Sequence, residues 1–152
     1  MKMKKFPHEY AVAATGSVEG DLQIRSAGLP VIFSAPPVEF GGPGGRWSPE
    51  TLLVAAVADC FILTFRAIAM TLELRWTSLH CDVRGTLDRH DGITQFTEFR
   101  LRAHLSLAPG PGAEVAQRAL EKAERACLIT NSLKAPVHFD AEVDVPSTPQ
   151  VA

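Results

Sequence analysis

The chain has 152 residues, of which 46% are hydrophobic and 21% charged, and its formal net charge is −2 at pH 7. This length suits one domain that buries about two thirds of its unfolded surface without disulfides or a metal. The composition excludes a disordered chain, and the mixed charge argues against a nucleic-acid-binding protein, which would carry a basic face. Three cysteines are too few, and odd in number, for a secreted disulfide framework, so catalytic or redox chemistry is expected of them.

No export signal is expected, because the basic residues 1–5 are followed by FPHEY at residues 6–10 rather than by an apolar segment. Residues 52–70 are long and apolar enough to span a bilayer, but they include Asp59 and Arg66. Each charge costs about 2.5–3.5 kcal/mol at a bilayer centre. A helix that is apolar nearly all round also occurs as the buried centre of a soluble fold. The sequence therefore predicts a cytoplasmic protein outside the membrane.

Three short strands are predicted in the N-terminal third, at residues 10–14, 21–25 and 31–34. Each is a short run that ends at turn residues, and the second and third flank the turn at residues 26–28, which is typical of a hairpin. Residues 41–45 (GGPGG) lack the spacing of a phosphate-binding or dinucleotide-binding loop. They are therefore predicted to form a flexible approach to the next helix.

A long helix is predicted at residues 51–74, which contain no Gly or Pro. Ser48 is a good N-cap, Pro49 suits the first helical position, and Glu50 complements the helix dipole in the first turn. Because most faces of this helix are apolar, we expect protein to surround it on nearly every side.

The second half of the chain begins with two predicted strands. Apolar and polar side chains alternate at residues 79–88 and again at residues 98–107. This pattern predicts a half-buried antiparallel hairpin with its turn at residues 90–92. The remaining predicted elements are two helices and a strand, at residues 113–126, 127–133 and 137–145.

The predicted element order is therefore β-β-β-α-β-β-α-α-β. Strands and helices that come in runs, rather than in strict alternation, are typical of an α+β fold. The sequence thus predicts antiparallel sheets packed around a long buried central helix, in a single domain of residues 1–152.

The three cysteines lie in different predicted settings. Cys60 is in the middle of the long helix, where composition alone favours a small core residue, since free cysteine is among the most buried residue types. Cys127 begins a short helix, where backbone amides would lower the pKa of its thiol. Cys81 lies on the apolar face of a strand and is most simply a core residue.

Metal and hydrolase functions have weaker support. None of the five histidines has a metal-ligand spacing with a cysteine, so no metal or other cofactor is expected. A Cys–His nucleophilic pair stays open as an alternative, without a sequence signature in its favour. The histidines are scattered along the chain at His8, His80, His90, His104 and His138.

Two segments resemble the OsmC/Ohr family of osmotically inducible and organic hydroperoxide resistance proteins. Residues 48–61 (SPETLLVAAVADCF) resemble the family pattern Pro-Glu-x-Leu-Leu-x-Ala-Ala-x-Ala-x-Cys, and residues 127–134 (CLITNSLK) resemble its Cys-Pro-x-Ser-x-x-Leu. Residues 40–47 (FGGPGGRW) are more similar to a divergent OsmC-like subgroup. The resemblance covers nearly the whole chain, and it implies an OsmC-like fold and an intertwined homodimer with both active sites at the interface.

The resemblance implies a thiol peroxidase that reduces organic hydroperoxides to alcohols. Cys60 would be the peroxidatic thiolate and Cys127 the resolving thiol, and an external dithiol would reduce their disulfide. An apolar helix around Cys60 would match an alkyl chain, so Leu53 and Phe61 are predicted to contact substrate, together with Arg46. A non-catalytic module that binds an apolar small molecule in the dimer cleft is the alternative.

The family activates its thiolate with an arginine that a glutamate holds in place. Glu50 matches this glutamate by motif. Arg25 is the first candidate for the arginine because it precedes a glycine-containing turn, and Arg46 is the second.

Three residues depart from the family pattern. Asp59 replaces a small residue beside the first cysteine, and its carboxylate would raise the pKa of that thiol. Leu128 stands where proline is usual, and Thr130 stands where serine is usual.

Overall fold

The computed structural model describes residues 4–146, so residues 1–3 of the predicted basic N-terminal run, and residues 147–152, lie outside it. The chain divides into two compact units, one that ends at Leu52 and one that begins at Leu53. The single domain predicted from sequence stays a prediction.

The first unit contains a small antiparallel sheet of three strands, β1 (Ala13–Thr15), β2 (Leu22–Arg25) and β3 (Ile32–Ser34), which pair in that order. The hairpin predicted for the second and third strands is confirmed, and β1 begins three residues later than expected. Pro36 and Pro37 follow β3, and a short 3-10 turn at Val38–Phe40 ends at Gly41, whose φ of 78° favours glycine.

Helix α1 (Pro49–Thr71) starts where the sequence predicts. The Thr51 N–H donates to Ser48 Oγ at 3.2 Å, and the Ser48 N–H donates to Thr51 Oγ1 at 2.8 Å. These reciprocal bonds satisfy donors that the helix leaves unpaired at its first turn. The helix ends at Thr71, three residues earlier than predicted, because Glu73 adopts a left-handed backbone with φ of 52°.

The second unit contains the sheet β4-β5-β6, built on the long strands β4 (Trp76–His90) and β5 (Ile93–Leu107). These two strands pair antiparallel through a two-residue turn in which Asp91 and Gly92 have φ of 52° and 80°. Positive φ at both positions is typical of a type I′ turn, whose twist matches that of the strands. The predicted hairpin is therefore confirmed, and it extends beyond both predicted strands.

Strand β6 (Val137–Asp144) pairs with β5 in parallel, which corrects the expectation of purely antiparallel sheets. Helix α2 (Ala113–Ala126) and a 3-10 turn at Thr130–Ser132 connect the two strands. The helix predicted at residues 127–133 is therefore wrong, since only this short turn forms there. A connection of this length lets the chain return to the end of the sheet from which β5 runs, so β6 runs in the same direction as β5.

The core of the second unit lies between the sheet and its two helices. Strand β5 buries alternate side chains from Phe99 to Leu107, as its alternation predicts, and Gly85 of β4 leaves room for the ring of Phe96. Phe61 of α1 packs against Phe139 with ring centroids 5.4 Å apart. Helix α2 contributes a stripe of small and aliphatic residues, at Ala116, Ala119, Leu120 and Ala123.

Helix α1 is buried on one side within the described chain, not on nearly every side as predicted. Its buried residues are Val57, Phe61, Phe65, Ile68 and Ala69. On the opposite side Leu63 is 51% exposed and Met70 is 75% exposed. By length and composition alone this helix could cross a membrane. Core helices of soluble proteins share that length and composition, so the observation does not indicate a membrane protein.

Candidate active site

The second unit brings two of its cysteines together. Cys60 lies in the middle of α1, and Cys127 follows α2 as its C-cap residue, with φ of −65° and ψ of 115°. Each thiol is among the groups that shift the pKa of the other, and neither is in a disulfide. Two residues that are distant in sequence therefore form one candidate redox site.

The loop after α2, residues 127–133, is held by its own hydroxyl groups. Thr130 Oγ1 donates to the Cys127 carbonyl at 3.1 Å, and Ser132 Oγ donates to the Leu128 carbonyl at 2.9 Å. Such side-chain bonds to nearby carbonyls stabilise tight non-helical turns. The loop thereby holds a fixed shape in which its first amides are free to bind another group.

These amides donate to Cys60. Burial raises the pKa of the Cys60 thiol, but hydrogen bonds outweigh this effect and bring the pKa below its ordinary value. The donors are, in decreasing order of effect, the Ile129 N–H, the Cys127 thiol, the Thr64 hydroxyl and the Leu128 N–H. The Thr64 hydroxyl lies 3.9 Å from Cys60 Sγ, one helical turn away. Donors around a sulfur favour its charged form, so this arrangement stabilises a Cys60 thiolate.

The surroundings of Cys127 shift the pKa of its thiol in the opposite direction. Complete burial raises the pKa of its thiol, and the hydrogen bond to Cys60 and the charge of Cys60 raise it further. The amide and hydroxyl of Thr130 lower this pKa, but the raising effects together are larger. The lowered pKa predicted for Cys127 is therefore wrong, because burial outweighs the Thr130 donors at Cys127 and the amides of Leu128 and Ile129 act on Cys60 instead. Cys60 ionises first, and Cys127 stays a thiol that donates to it.

Cys81 behaves as the core residue that its position on β4 predicts. It is half-buried, and burial, the charge of Asp82 and the charge of Cys127 raise the pKa of its thiol to about 12. A thiol with so high a pKa forms little thiolate at neutral pH, so Cys81 is the least reactive of the three cysteines.

The departures from the family pattern have little or no adverse effect on Cys60. Asp59 is exposed, and its carboxylate is not among the groups that shift the pKa of Cys60, contrary to expectation. Adjacent residues on a helix point about 100° apart, which explains the difference. Leu128 provides an amide hydrogen that proline lacks, and Thr130 keeps the hydroxyl that serine would supply.

The arginines predicted to activate Cys60 make other contacts. The Arg25 guanidinium donates to the side chain of Gln23, and Arg46 pairs with Asp21 at 2.6 Å. One carboxylate oxygen of Glu50 is buried and has no hydrogen-bond partner within residues 4–146. The predicted arginine–glutamate pair is thus absent from the described chain. All of these residues belong to the first unit, and the catalytic roles predicted for Glu50 and the arginines stay predictions.

The residues predicted to contact substrate have different environments. Arg46 lines an open depression of about 630 Å³ with Phe33 and Trp47 in the first unit. Leu53 is half-buried against the core of the second unit, and Phe61 is completely buried there. Their contacts with substrate stay predictions.

Within residues 4–146 no group of three histidine, cysteine or acidic side chains could hold a metal ion. The histidines of the second sheet lie on its exposed face and pair with acids, as His104 does with Asp144 at 2.6 Å. The amide donors to Cys60 could not be predicted from sequence, because a backbone N–H has no residue signature. Thr64 could have been found, since it lies four residues after Cys60 on the same helix face.

Comparison with known proteins agrees with this fold. The profile of the family described as OsmC-like protein matches residues 42–142. The uncharacterized protein YmaD of Bacillus subtilis is 24% identical over 141 residues, which are 91% of this chain and 94% of that protein.

Two solved structures are similar over most of the chain. An OsmC-like protein of unknown function from Vibrio cholerae has a TM-score of 0.80 at 19% identity, covering 90% of this chain and 100% of that one. An organic hydroperoxide resistance protein OsmC from Legionella pneumophila has a TM-score of 0.72 at 25% identity, covering 93% and 100%. The family match spans two thirds of the sequence and both cysteines of the site, and the chain belongs to the OsmC-like family.

Proposed function

We propose that this protein is a thiol-dependent peroxidase that reduces organic hydroperoxides, with Cys60 as the peroxidatic and Cys127 as the resolving cysteine. The observation that carries the proposal is the pair of opposite pKa shifts, lowered at Cys60 and raised at Cys127. Attack on a peroxide requires a thiolate, and resolution requires a second thiol in contact with the oxidised sulfur. Cys60 provides the thiolate, and Cys127 provides the second thiol.

The proposed reaction has three steps. The Cys60 thiolate attacks the distal oxygen of the hydroperoxide, an S–O bond forms, the O–O bond breaks, and the alkoxide takes a proton from solvent to leave as an alcohol. Cys60 is now a sulfenic acid. Cys127 attacks its sulfur, an S–S bond forms, and the sulfenic oxygen leaves as water. An external dithiol then reduces the disulfide and is itself oxidised.

An organic substrate is supported by the apolar surroundings of Cys60 on α1 and by the relatives. The similar proteins from Legionella pneumophila and Elizabethkingia anophelis are each named organic hydroperoxide resistance proteins. An alkyl group would gain affinity from apolar side chains that hydrogen peroxide cannot use. We therefore expect faster reaction with cumene hydroperoxide than with hydrogen peroxide.

A homodimer is part of the proposal. The first sheet has strands of three or four residues and exposes Phe33, whose side chain is 49% accessible, and α1 exposes Met70 at 75%. So short a sheet needs packing on one face to be stable. Exposed apolar surface in both units supports a partner subunit of the same chain. Three free thiols suit a reducing compartment, so we assign the reaction to the cytoplasm.

The test is stopped-flow reduction of cumene hydroperoxide and of hydrogen peroxide by the reduced protein, with mass spectrometry of the product. We expect organic-selective consumption and a Cys60–Cys127 disulfide. Cys60→Ser should abolish the reaction, Cys127→Ser should allow one event and leave a sulfenic acid, and the control Cys81→Ser should retain turnover with a dithiol. Turnover by Cys60→Ser would contradict the proposal. Slow, unselective oxidation of every thiol would instead favour the non-catalytic module that binds an apolar small molecule.

A further inference from the structure

The exposed face of the second sheet has a depression that is lined by arginines. Arg84 of β4 lies directly opposite Arg100 of β5, and Arg102 follows two residues later on the same face of β5. All three residues are exposed. Directly paired side chains on a sheet begin about 5 Å apart, and side chains two residues apart on one strand begin about 7 Å apart. We call this feature the arginine depression. Its volume is about 330 Å³, and it is lined by Asp82, Val83, Arg84, Arg100 and Arg102.

Most of the positive charge of the arginine depression is unpaired. The Arg100 guanidinium pairs with the Glu98 carboxylate at 3.1 Å. Within residues 4–146, neither Arg84 nor Arg102 has an acidic side chain at ion-pair distance. Like charges directly opposite each other destabilise a pair of strands, as Arg84 and Arg100 are placed to do. A bound anion would remove this repulsion.

Carboxylates confine the positive charge to a small area. Asp82 and Asp140 are the register partners of Arg102 on the two neighbouring strands. Glu142 and Asp144 follow on the same exposed face of β6, because alternate residues of a strand share a face. An extended polyanion, such as a nucleic acid or an anionic membrane surface, would be repelled by these carboxylates. The arginine depression therefore suits a single anionic group.

We infer that the arginine depression binds the phosphate group of a small phosphate monoester that carries hydroxyl groups. A guanidinium group donates two parallel hydrogen bonds to phosphate oxygens, and its charge complements the phosphate dianion. A volume of about 330 Å³ is at the lower end for small-molecule sites, which suits a compound with one phosphate and few other atoms. Asp82, which also lines the depression, would accept hydrogen bonds from hydroxyl groups and repel a second phosphate.

This inference goes beyond the proposed function and does not depend on it. Leu101 and Ala103 of β5 belong to the core that also contains the buried residues of α1. Arg100 and Arg102 alternate with them and lie on the opposite face of the sheet. A ligand in the arginine depression is therefore separated by the sheet from Cys60 on α1. Because such a ligand would bind only the folded protein, it would stabilise the fold.

The test is isothermal titration calorimetry of the whole protein with glucose 6-phosphate, inorganic phosphate and glucose at one ionic strength. We expect glucose 6-phosphate to bind more tightly than inorganic phosphate, because its hydroxyl groups reach Asp82, and we expect no binding of glucose. Arg84→Gln and Arg102→Gln each remove one guanidinium group and should weaken the binding of glucose 6-phosphate about tenfold. Asp82→Ala should remove the difference between the two phosphates. Arg118→Gln on the exposed face of α2 makes the same charge change as the matched control and should bind like the parent protein.

Different results would overturn different parts of the inference. No binding of glucose 6-phosphate at millimolar concentration, or equal weakening by Arg118→Gln and Arg84→Gln, would show that the arginines form no specific site. Equal affinity for inorganic phosphate and glucose 6-phosphate in the parent protein would overturn the ester. Tighter binding of single-stranded DNA, lost in the arginine variants, would indicate a polyanion instead.

Two further measurements keep these results interpretable. Circular dichroism in phosphate-free buffer establishes that each variant is folded. Peroxide reduction should be unchanged in Arg84→Gln and Arg102→Gln, because neither residue contacts the cysteine site. A parent protein that binds glucose 6-phosphate in the expected pattern but does not reduce peroxides would overturn the proposed function and leave this inference standing.

Discussion

The backbone amide of Leu128 offers a direct test of how Cys60 is activated. Leu128→Pro removes that N–H, because proline has none, whereas Leu128→Ala keeps it. The Leu128 side chain is 73% exposed, so its loss changes little packing. The residue before it, Cys127, has φ of −65° and ψ of 115°, which is a backbone conformation that proline permits in its predecessor. The backbone of Cys127 therefore permits a proline at position 128.

The expected effect follows from the hydrogen bonds to Cys60. A hydrogen bond to a charged group contributes about 1.5–3 kcal/mol when it is buried. Leu128 is the weakest of the four donors and Cys60 is partly exposed to solvent, which reduces this value. We take about 0.7–1.4 kcal/mol, which corresponds to a thiolate fraction about three- to tenfold lower at pH values below the pKa. Leu128→Pro should thus raise the pKa of Cys60, and Leu128→Ala should not.

The assay is the pH dependence of alkylation of Cys60 by iodoacetamide, in a Cys127→Ser background where one reactive thiol remains. The ultraviolet absorbance of the thiolate gives a second, independent titration. Thermal unfolding of each variant shows whether the proline is tolerated. Equal Cys60 titration in the proline and alanine variants, with both folded, would refute the view that this amide stabilises the thiolate.

Three further predictions concern a thiol, the core and a surface pair. At pH 8 iodoacetamide should label Cys60 and leave Cys81 intact by mass spectrometry, since a pKa of about 12 leaves about one thiolate in 10,000. Phe61→Ala should lower the free energy of unfolding in urea by about 3–5 kcal/mol, because this side chain is completely buried. The hydrogen bond that the His104 ring donates to the Asp144 carboxylate raises the pKa of His104. This pair therefore stabilises the fold below the unfolded pKa near 6.5 and stops doing so as the pH rises through the folded value. Asp144→Asn should remove this pH dependence and lower the pKa of His104 in an NMR titration.

Local patterns predicted most of the elements correctly. The alternation along β5 gave its buried face, and Ser48 and Pro49 marked the start of α1, because these signals depend on neighbouring residues alone. The direction of β6 could not be predicted in this way. It depends on how the chain crosses over through α2, and strand sequences carry little information on parallel or antiparallel pairing.

The candidate site, like the fold, could be predicted from the sequence only in part. The sequence motifs identified Cys60 and Cys127 as a pair, but they predicted the wrong direction for the pKa of Cys127. The difference arises because the amides of Leu128 and Ile129 bind the sulfur of Cys60 on another element. Predicting that contact requires the packing of α1 against the loop after α2.

The sequence by itself therefore determined most of the helix and strand positions, the family and the two cysteines, since each depends on residue types at fixed spacing. Only the tertiary structure decided which thiol ionises first and which side of α1 is left uncovered. Burial and hydrogen bonding act through space between elements distant in sequence, so the same cysteine can be a thiolate or a protonated thiol according to what packs around it.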